Sequence, residues 1–358
     1  MNILMRYLAR QIYASVALVF GALILLFAFL DFVNELNALG QGQYSLMYVS
    51  LFVVLTIPGH IYELFPVAVL VGTISALVQL AASSELTVYR ASGVSLAQMI
   101  SALFKIALPL VILCFVCGEF FAPPSERMAQ QLRLKAKNLQ VSLQEFRSGV
   151  WVKDEQSFVN VKNVMPDTSL HNIAIYKFDD AYHLNSIINA QRASFIADGR
   201  WQLEDTMETR FDKLSTTVQS YPTQEWRSAL NPDLLSVLLV VPEQMSAWNL
   251  YQYSGYLRDN HQKSARYEIA MWNKLIYPLA VLVMMILALP FAGHQHRSGG
   301  VAAKMFLGIV LGLTFHFVGR LSASLGALNN WQPLLSASAM TVLFLLIGLT
   351  MLAWTERR

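Results

Sequence analysis

The sequence predicts an integral membrane protein of six transmembrane helices with an exported antiparallel β domain, a jelly roll or sandwich, between the third and fourth. Three observations predict it. First, Gln11 to Leu30 is a run of twenty uncharged, mostly apolar residues, and comparable runs recur at 64–84, 106–118, 275–293, 305–319 and 321–355. Twenty residues at helical rise cover roughly 30 Å, the hydrocarbon thickness of a bilayer. Second, charge is segregated: 126–268 holds 16 of the 26 Lys+Arg and 17 of the 23 Asp+Glu. Third, within that charged stretch the pattern turns to short strands. At 14% charged and 55% hydrophobic, the chain departs from a soluble composition.

The first span is read at about 11–31. Its apolar core exceeds the 7–15 residues of a cleaved signal, and no small-x-small site precedes Asp31, so it is expected to stay. The second is placed at 57–81. Ser45–Tyr62 is also apolar, but a separate span there would need a turn buried in lipid with unsatisfied backbone. Pro58-Gly59 reads as a bend instead. The third span is 97–121, with Lys105 inside it. The fourth, fifth and sixth are 270–292, 302–322 and 334–355, and Asn329 to Pro333 reads as an interfacial start of the sixth. The domains are thus 1–122 (spans 1–3), 123–267 (β domain and helical connectors) and 268–358 (spans 4–6).

Basic residues orient the spans. With the N-terminus inside, the inner ends carry Arg6, Arg10, Arg90, Lys105, Arg297, Lys304, Arg357 and Arg358. The outer ends carry Asp31, Glu35, Glu63 and Glu119 against Lys274 and Arg320. Both termini are then cytoplasmic, and the large domain lies outside, which is the periplasm of a bacterium with two membranes.

Strands are expected at Val150–Val152, Ser157–Val161, Ile173–Phe178, Ser194–Ala197 and Trp201–Met207. Asp198-Gly199 is a hairpin signal. Trp201, Leu203, Asp205 and Met207 are expected on one face. Glu126–Gln140 and Ser246–Ala265 read as polar helical connectors.

Several chemistries are excluded or weak. No phosphate-binding loop of the G-x-x-x-x-G-K-[ST] type occurs, so ATP is not bound by that route. Cys114-x-x-Cys117 lies in an apolar helix without the second pair that zinc needs, and reads as packing. His171 and His183 have no evident catalytic partner. No metal, cofactor, enzymatic activity or nucleic-acid partner is expected of this chain itself. Gly308-x-x-x-Gly312 permits close helix approach, either within the chain or at a subunit interface. Lys274, Arg320 and Glu119 lie near outer span ends, where snorkelling and a headgroup site are both open readings. In the loop after span 2, Ser83 or Ser84 can cap a short helix, with Glu85 in its first turn, Arg90 in its last and Gly93 beyond it. That element is either an interfacial anchor or a helix that docks into an ATPase.

Ser84-Glu85-Leu86-Thr87-Val88-Tyr89-Arg90-Ala91-Ser92-Gly93 resembles the coupling segment of the lipopolysaccharide-export permeases LptF and LptG. Gly40-Gln41-Gly42, Phe65-Pro66, Gly118-Glu119-Phe120-Phe121-Ala122-Pro123 and Met271-Trp272-Asn273-Lys274 fit as well. The resemblance runs the whole chain, and the Ala-Ser-Gly ending and Trp151-Val152-Lys153-Asp154 look more like LptG. It implies a permease subunit beside an LptF-type partner and two LptB-type ATPases, which supply ATP and Mg. It also implies an LptC-type protein and an LptA-type bridge in a Gram-negative inner membrane. Ser84, Glu85, Leu86, Tyr89, Arg90 and Gly93 would couple to the ATPase. Spans 1 and 5 would form lateral gates, giving Gly308 and Gly312 an interface to serve. A lipid with headgroup phosphates needs apolar walls and bases, and Phe27, Phe65 and Phe317 with Arg133, Lys274 and Arg320 are the candidates. The chain lacks the lysines that some members carry after span 1, having Asp31, Glu35, Asn37 and Ala38 there. Against lipid export stand a mechanotransmission permease, which usually carries its domain between spans 1 and 2 of four, and an intramembrane enzyme, which would need clustered acids or a metal set.

Overall fold

The computed structural model describes residues 3–356, apart from 86–87, 89–90, 92, 137–140, 143–149, 155, 165–168, 180–181, 198, 213–214, 229–241, 260–261 and 294–300. Its helices are α1 (Ile3–Leu36), α2 (Leu46–Ala82), α3 (Leu96–Val116), α4 (Ala122–Ala136), α5 (Ala247–Asp259), α6 (Ala265–Ile276), α7 (Ala280–Gly293), α8 (Val301–Leu328) and α9 (Pro333–Glu356). Among the described residues, six helical stretches are long and apolar enough to cross a bilayer: Met5–Leu36, Leu46–Ala82, Ala97–Arg133, Ala265–Phe291, Ala302–Leu328 and Pro333–Trp354. Six spans are what hydropathy predicts.

The second span is longer than expected. Placed by sequence at 57–81 with a bend at Pro58, it is one helix of 37 residues that runs through both Pro58 and Pro66. At 1.5 Å per residue that is about 55 Å, nearly twice the hydrocarbon core. Its first turns bury Val49, Phe52, Val53 and Thr56, with Val49 in one cluster with Phe32 of the 34-residue α1, while Met47 and Val54 stay exposed, so the extra length is packed on one face. α2 is the axis of the bundle: 89% of its most apolar window is buried, against 11% for α1 and 17% for the fifth span. Leu70, Ile74 and Leu77 of α2 meet Leu103 and Ile106 of α3, Met284 and Leu287 of α7 and Phe315 of α8 in one core.

The third span does not stop at the bundle. α3 passes through a π-helical turn, Cys117–Phe121, directly into α4. Pro123 and Pro124 lie just past the π turn and cannot donate to the carbonyls behind them, so the backbone ladder is interrupted where the span leaves the bundle. The fourth span breaks into α6 and α7 at a 3₁₀ turn, Tyr277–Leu279, around Pro278.

The inserted domain is an antiparallel sheet of β1 (Val141–Ser142), β2 (Val150–Asp154), β3 (Ser157–Val164), β4 (Leu170–Phe178), β5 (Leu184–Ala197), β6 (Arg200–Phe211) and β7 (Thr216–Arg227). β1 and β2 share one edge of β3, and the rest follow in sequence order to β7. Gly199 makes the β5–β6 turn at φ +70; Asp198 lies outside the described residues. Val159, Val161, Ile173, Ile175, Ile188, Trp201 and Leu203 form the domain core. β5 starts ten residues earlier than the sequence suggests, and β7 was not anticipated.

The face expected for β6 needs correction. Trp201 and Leu203 turn inward, but Met207 is 50% exposed, and the buried residues are the Thr206 and Glu208 that flank it. Asp205, between Leu203 and Thr206, has φ +51, a left-handed conformation at the point where the inward face changes. Across the sheet β5 changes face at the same level, from Ala190 to Ala193.

Candidate functional site

The bundle has two chemically distinct ends. At the end leading into the β domain, acids and bases gather between helices. α1 offers Asp31 and Glu35, spaced i,i+4 and so on one face. His60 Nε2 of α2 lies 2.5 Å from Asp31 Oδ2, and Thr56 Oγ1 donates to the same oxygen at 3.3 Å. The Phe27 ring sits 5.5 Å from the His60 ring. One turn further out, Arg133 Nε of α4 donates to Glu35 Oε1 at 2.7 Å. Tyr44 donates to that oxygen at 3.0 Å, and the Arg133 guanidinium lies 5.5 Å from the centre of the Phe52 ring. Burial raises the Tyr44 hydroxyl well above its ordinary value, and the Glu35 carboxylate adds to this. Deeper in the bundle, Arg320 Nη2 of α8 donates to Glu63 Oε1 at 2.6 Å, and the Tyr277 hydroxyl donates to the Glu63 carbonyl at 2.5 Å.

Lys274 is different. Instead of snorkelling it is 5% exposed, with its ammonium 4.4 Å from the centre of the Tyr62 ring. Glu119, in the π turn, accepts from Ala247 N at 2.8 Å and Trp248 N at 3.4 Å. A carboxylate at the end of span 3 therefore caps the first turn of α5, which returns from the β domain, and favours it through the helix dipole. A 128-residue separation hides that contact from sequence reading.

The structure thus places Phe27, against His60, and Arg133, against Glu35 and Phe52, at the same end of the bundle. Arg320 stands at the α2–α8 seam, and Phe317, 69% exposed, points away from the chain on the same helix. Phe65 does not line a wall: it is 3% exposed and packs edge-on against Phe20 at 5.2 Å. Gly308 and Gly312 face α2 of the same chain. A Cβ at Gly308 would lie 2.8 Å from Ile74 Cδ1, and one at Gly312 would lie 2.7 Å from Val67 Cγ1. The close approach they permit is internal, and the open face of α8 is formed by Phe306, Leu313, Phe317 and Leu321. Glu35, Tyr44, Phe52 and His60 were not foreseen as partners. The i,i+4 spacings Asp31/Glu35 and Thr56/His60 were the available signal.

At the opposite end, α2 terminates at Ser83. Ser84 has φ +60, and its carbonyl accepts from Val88 N at 3.2 Å, so it opens the next turn. Ser83 Oγ donates to Glu85 Oε1 at 2.9 Å. Gly93 has φ +82, as expected for a residue that ends a helix. Leu86, Tyr89 and Arg90 lie outside the described residues. α3 then begins with a reciprocal box between Ser95 and Gln98.

The profile of the family described as "Lipopolysaccharide export system permease LptF/LptG" matches residues 6–354. The chain is 32% identical over 347 residues to the lipopolysaccharide export system permease protein LptG of Haemophilus influenzae, covering 97% of each chain. It is 32% identical over 353 residues to that of Escherichia coli K12, covering 98% of each. With six apolar helices, an inserted antiparallel β domain and end-to-end similarity to these relatives, the chain belongs to the lipopolysaccharide export permease family LptF/LptG, on its LptG side.

Proposed function

We propose that this chain is a non-catalytic permease subunit of an ATP-driven exporter that lifts lipopolysaccharide from the inner membrane toward the outer membrane. The observation that carries the reading is the β-domain end of α1, α2 and α4, where the apolar span surface meets Arg133, 40% exposed, beside a continuous helix into the β domain. A lipid with acyl chains and headgroup phosphates matches that juxtaposition. The names of the relatives support the cargo. An LptF-type permease, two LptB-type ATPases with their ATP and Mg, an LptC-type protein and an LptA-type bridge complete the assembly. The chain sits in a Gram-negative inner membrane with the β domain in the periplasm.

Photocrosslinkers at Phe27, Arg133 and Arg320 are expected to capture lipopolysaccharide in cells, while one at the core residue Phe65 captures less. Absence of lipid adducts at the first three positions would transfer support to a mechanotransmission permease.

Reporter fusions test the orientation. Fusions at Gly93, Arg297 and Arg358 are expected to read cytoplasmic and one at Gly199 periplasmic. A periplasmic signal at Arg358 would break the six-span topology.

A further inference from the structure

The arginine expected to meet lipid phosphate is already held by an acid. Glu35 Oε1 lies 2.7 Å from Arg133 Nε, and the two side chains are 7% and 40% exposed. The acid has been withdrawn from water, whereas the base it serves still reaches solvent. Desolvating a carboxylate is costly unless it is paired and hydrogen-bonded. Here Arg133 and the Tyr44 hydroxyl, at 3.0 Å, offset that cost. The surrounding backbone does not depend on the pair: Gln43 N donates to the Ala136 carbonyl at 2.8 Å and ties the α1–α2 turn to the end of α4. Glu63 and Arg320 repeat the arrangement in a more open setting, 46% and 80% exposed.

A carboxylate and a phosphate oxygen compete for the same guanidinium N–H groups. A transport site must bind strongly enough to load and weakly enough to unload, as in conduction. We propose that Glu35 is an internal counter-ion for Arg133: it stands in for the lipid phosphate when the site is empty and competes with the phosphate when cargo is bound. It lowers the affinity of the site, and it restores the empty state as the lipid moves on. The inference rests on the reading of Arg133 as a phosphate contact. A strut that merely positioned Arg133 would have the opposite sign, because its loss would weaken binding.

The test uses the full complex in nanodiscs and two probes: rough-type lipopolysaccharide carrying both lipid phosphates, and the same lipid after phosphatase treatment. Glu35→Gln keeps the size of the side chain and an acceptor for Tyr44 and Arg133, but removes the charge. It is expected to bind the phosphorylated lipid about tenfold more tightly, mostly through slower dissociation, with no change for the dephosphorylated lipid. In an Arg133→Gln background the effect should vanish. Glu35→Met, similar in length and uncharged at a buried site, should tighten binding likewise and serves if Glu35→Gln does not fold. Equal or weaker binding by the folded variants overturns the counter-ion. Wild-type binding that ignores the phosphates instead overturns the Arg133 reading itself, so the two failures are distinguishable.

Discussion

Glu85→Arg is expected to abolish export while leaving the protein folded in the membrane. Glu85 sits in the turn that follows α2, at the end of the bundle away from the β domain. Ser83 orients its side chain, and the next described residue, Val88, is 62% exposed. Under the proposed function, an oriented acid beside an exposed apolar residue would dock into a basic groove on the ATPase partner. Losing one member of a partly buried charged pair costs about 2–5 kcal/mol, and inverting it adds repulsion. The variant should therefore lose its ATPase on copurification, or retain it with ATP hydrolysis uncoupled from transport. Glu85→Gln should fall between the two, since it keeps hydrogen bonding without charge. Normal copurification and normal transport in Glu85→Arg would leave the segment as a membrane anchor only.

Much of the architecture was legible because the bilayer imposes it. A span must be apolar for about twenty residues and its backbone must bond to itself, so hydropathy finds six helices. The same logic could not find where α2 begins. Ser45–Tyr62 is apolar throughout, and a proline is tolerated inside a helix when neighbours hold it, as α1 holds the segment around Pro58. β7 was illegible for the converse reason: all but three of its twelve residues are exposed, it contains Pro222, and a polar edge strand lacks the alternation that marks a half-buried one. One left-handed residue, Asp205, broke the alternation of β6.

The acids and bases of the β-domain end were all visible as residues, but their pairing was not. Glu35 with Arg133 and Glu63 with Arg320 join positions far apart in sequence, and spacing says nothing about such contacts. Gly308 and Gly312 show the same limit. The motif announces a close approach, and only the fold shows that Ile74 and Val67 of the same chain supply it.

Gly118→Ala is expected to destabilise the chain by about 1–3 kcal/mol through overpacking at the turn that joins span 3 to the β domain. A Cβ there would lie 2.3 Å from Tyr62 Cε2 and 2.4 Å from Cδ2, distances at which something must move. Tyr62 cannot swing aside freely. Its ring has the Lys274 ammonium 4.4 Å from its centre and the Tyr277 ring at 5.0 Å. The strain therefore passes to the π turn, where the adjacent Glu119 caps α5. Loss of that cap would add roughly 1 kcal/mol and loosen the return from the β domain. Gly255→Ala in α5 is the control, because a Cβ there meets nothing within 4 Å and alanine favours a helix by about 0.5–1 kcal/mol. Thermal unfolding in detergent should place Gly118→Ala below the wild type and Gly255→Ala at or above it. If the two variants melt together, Gly118 is not the contact that locks span 3 against Tyr62, and the π turn must be held by Glu119 alone.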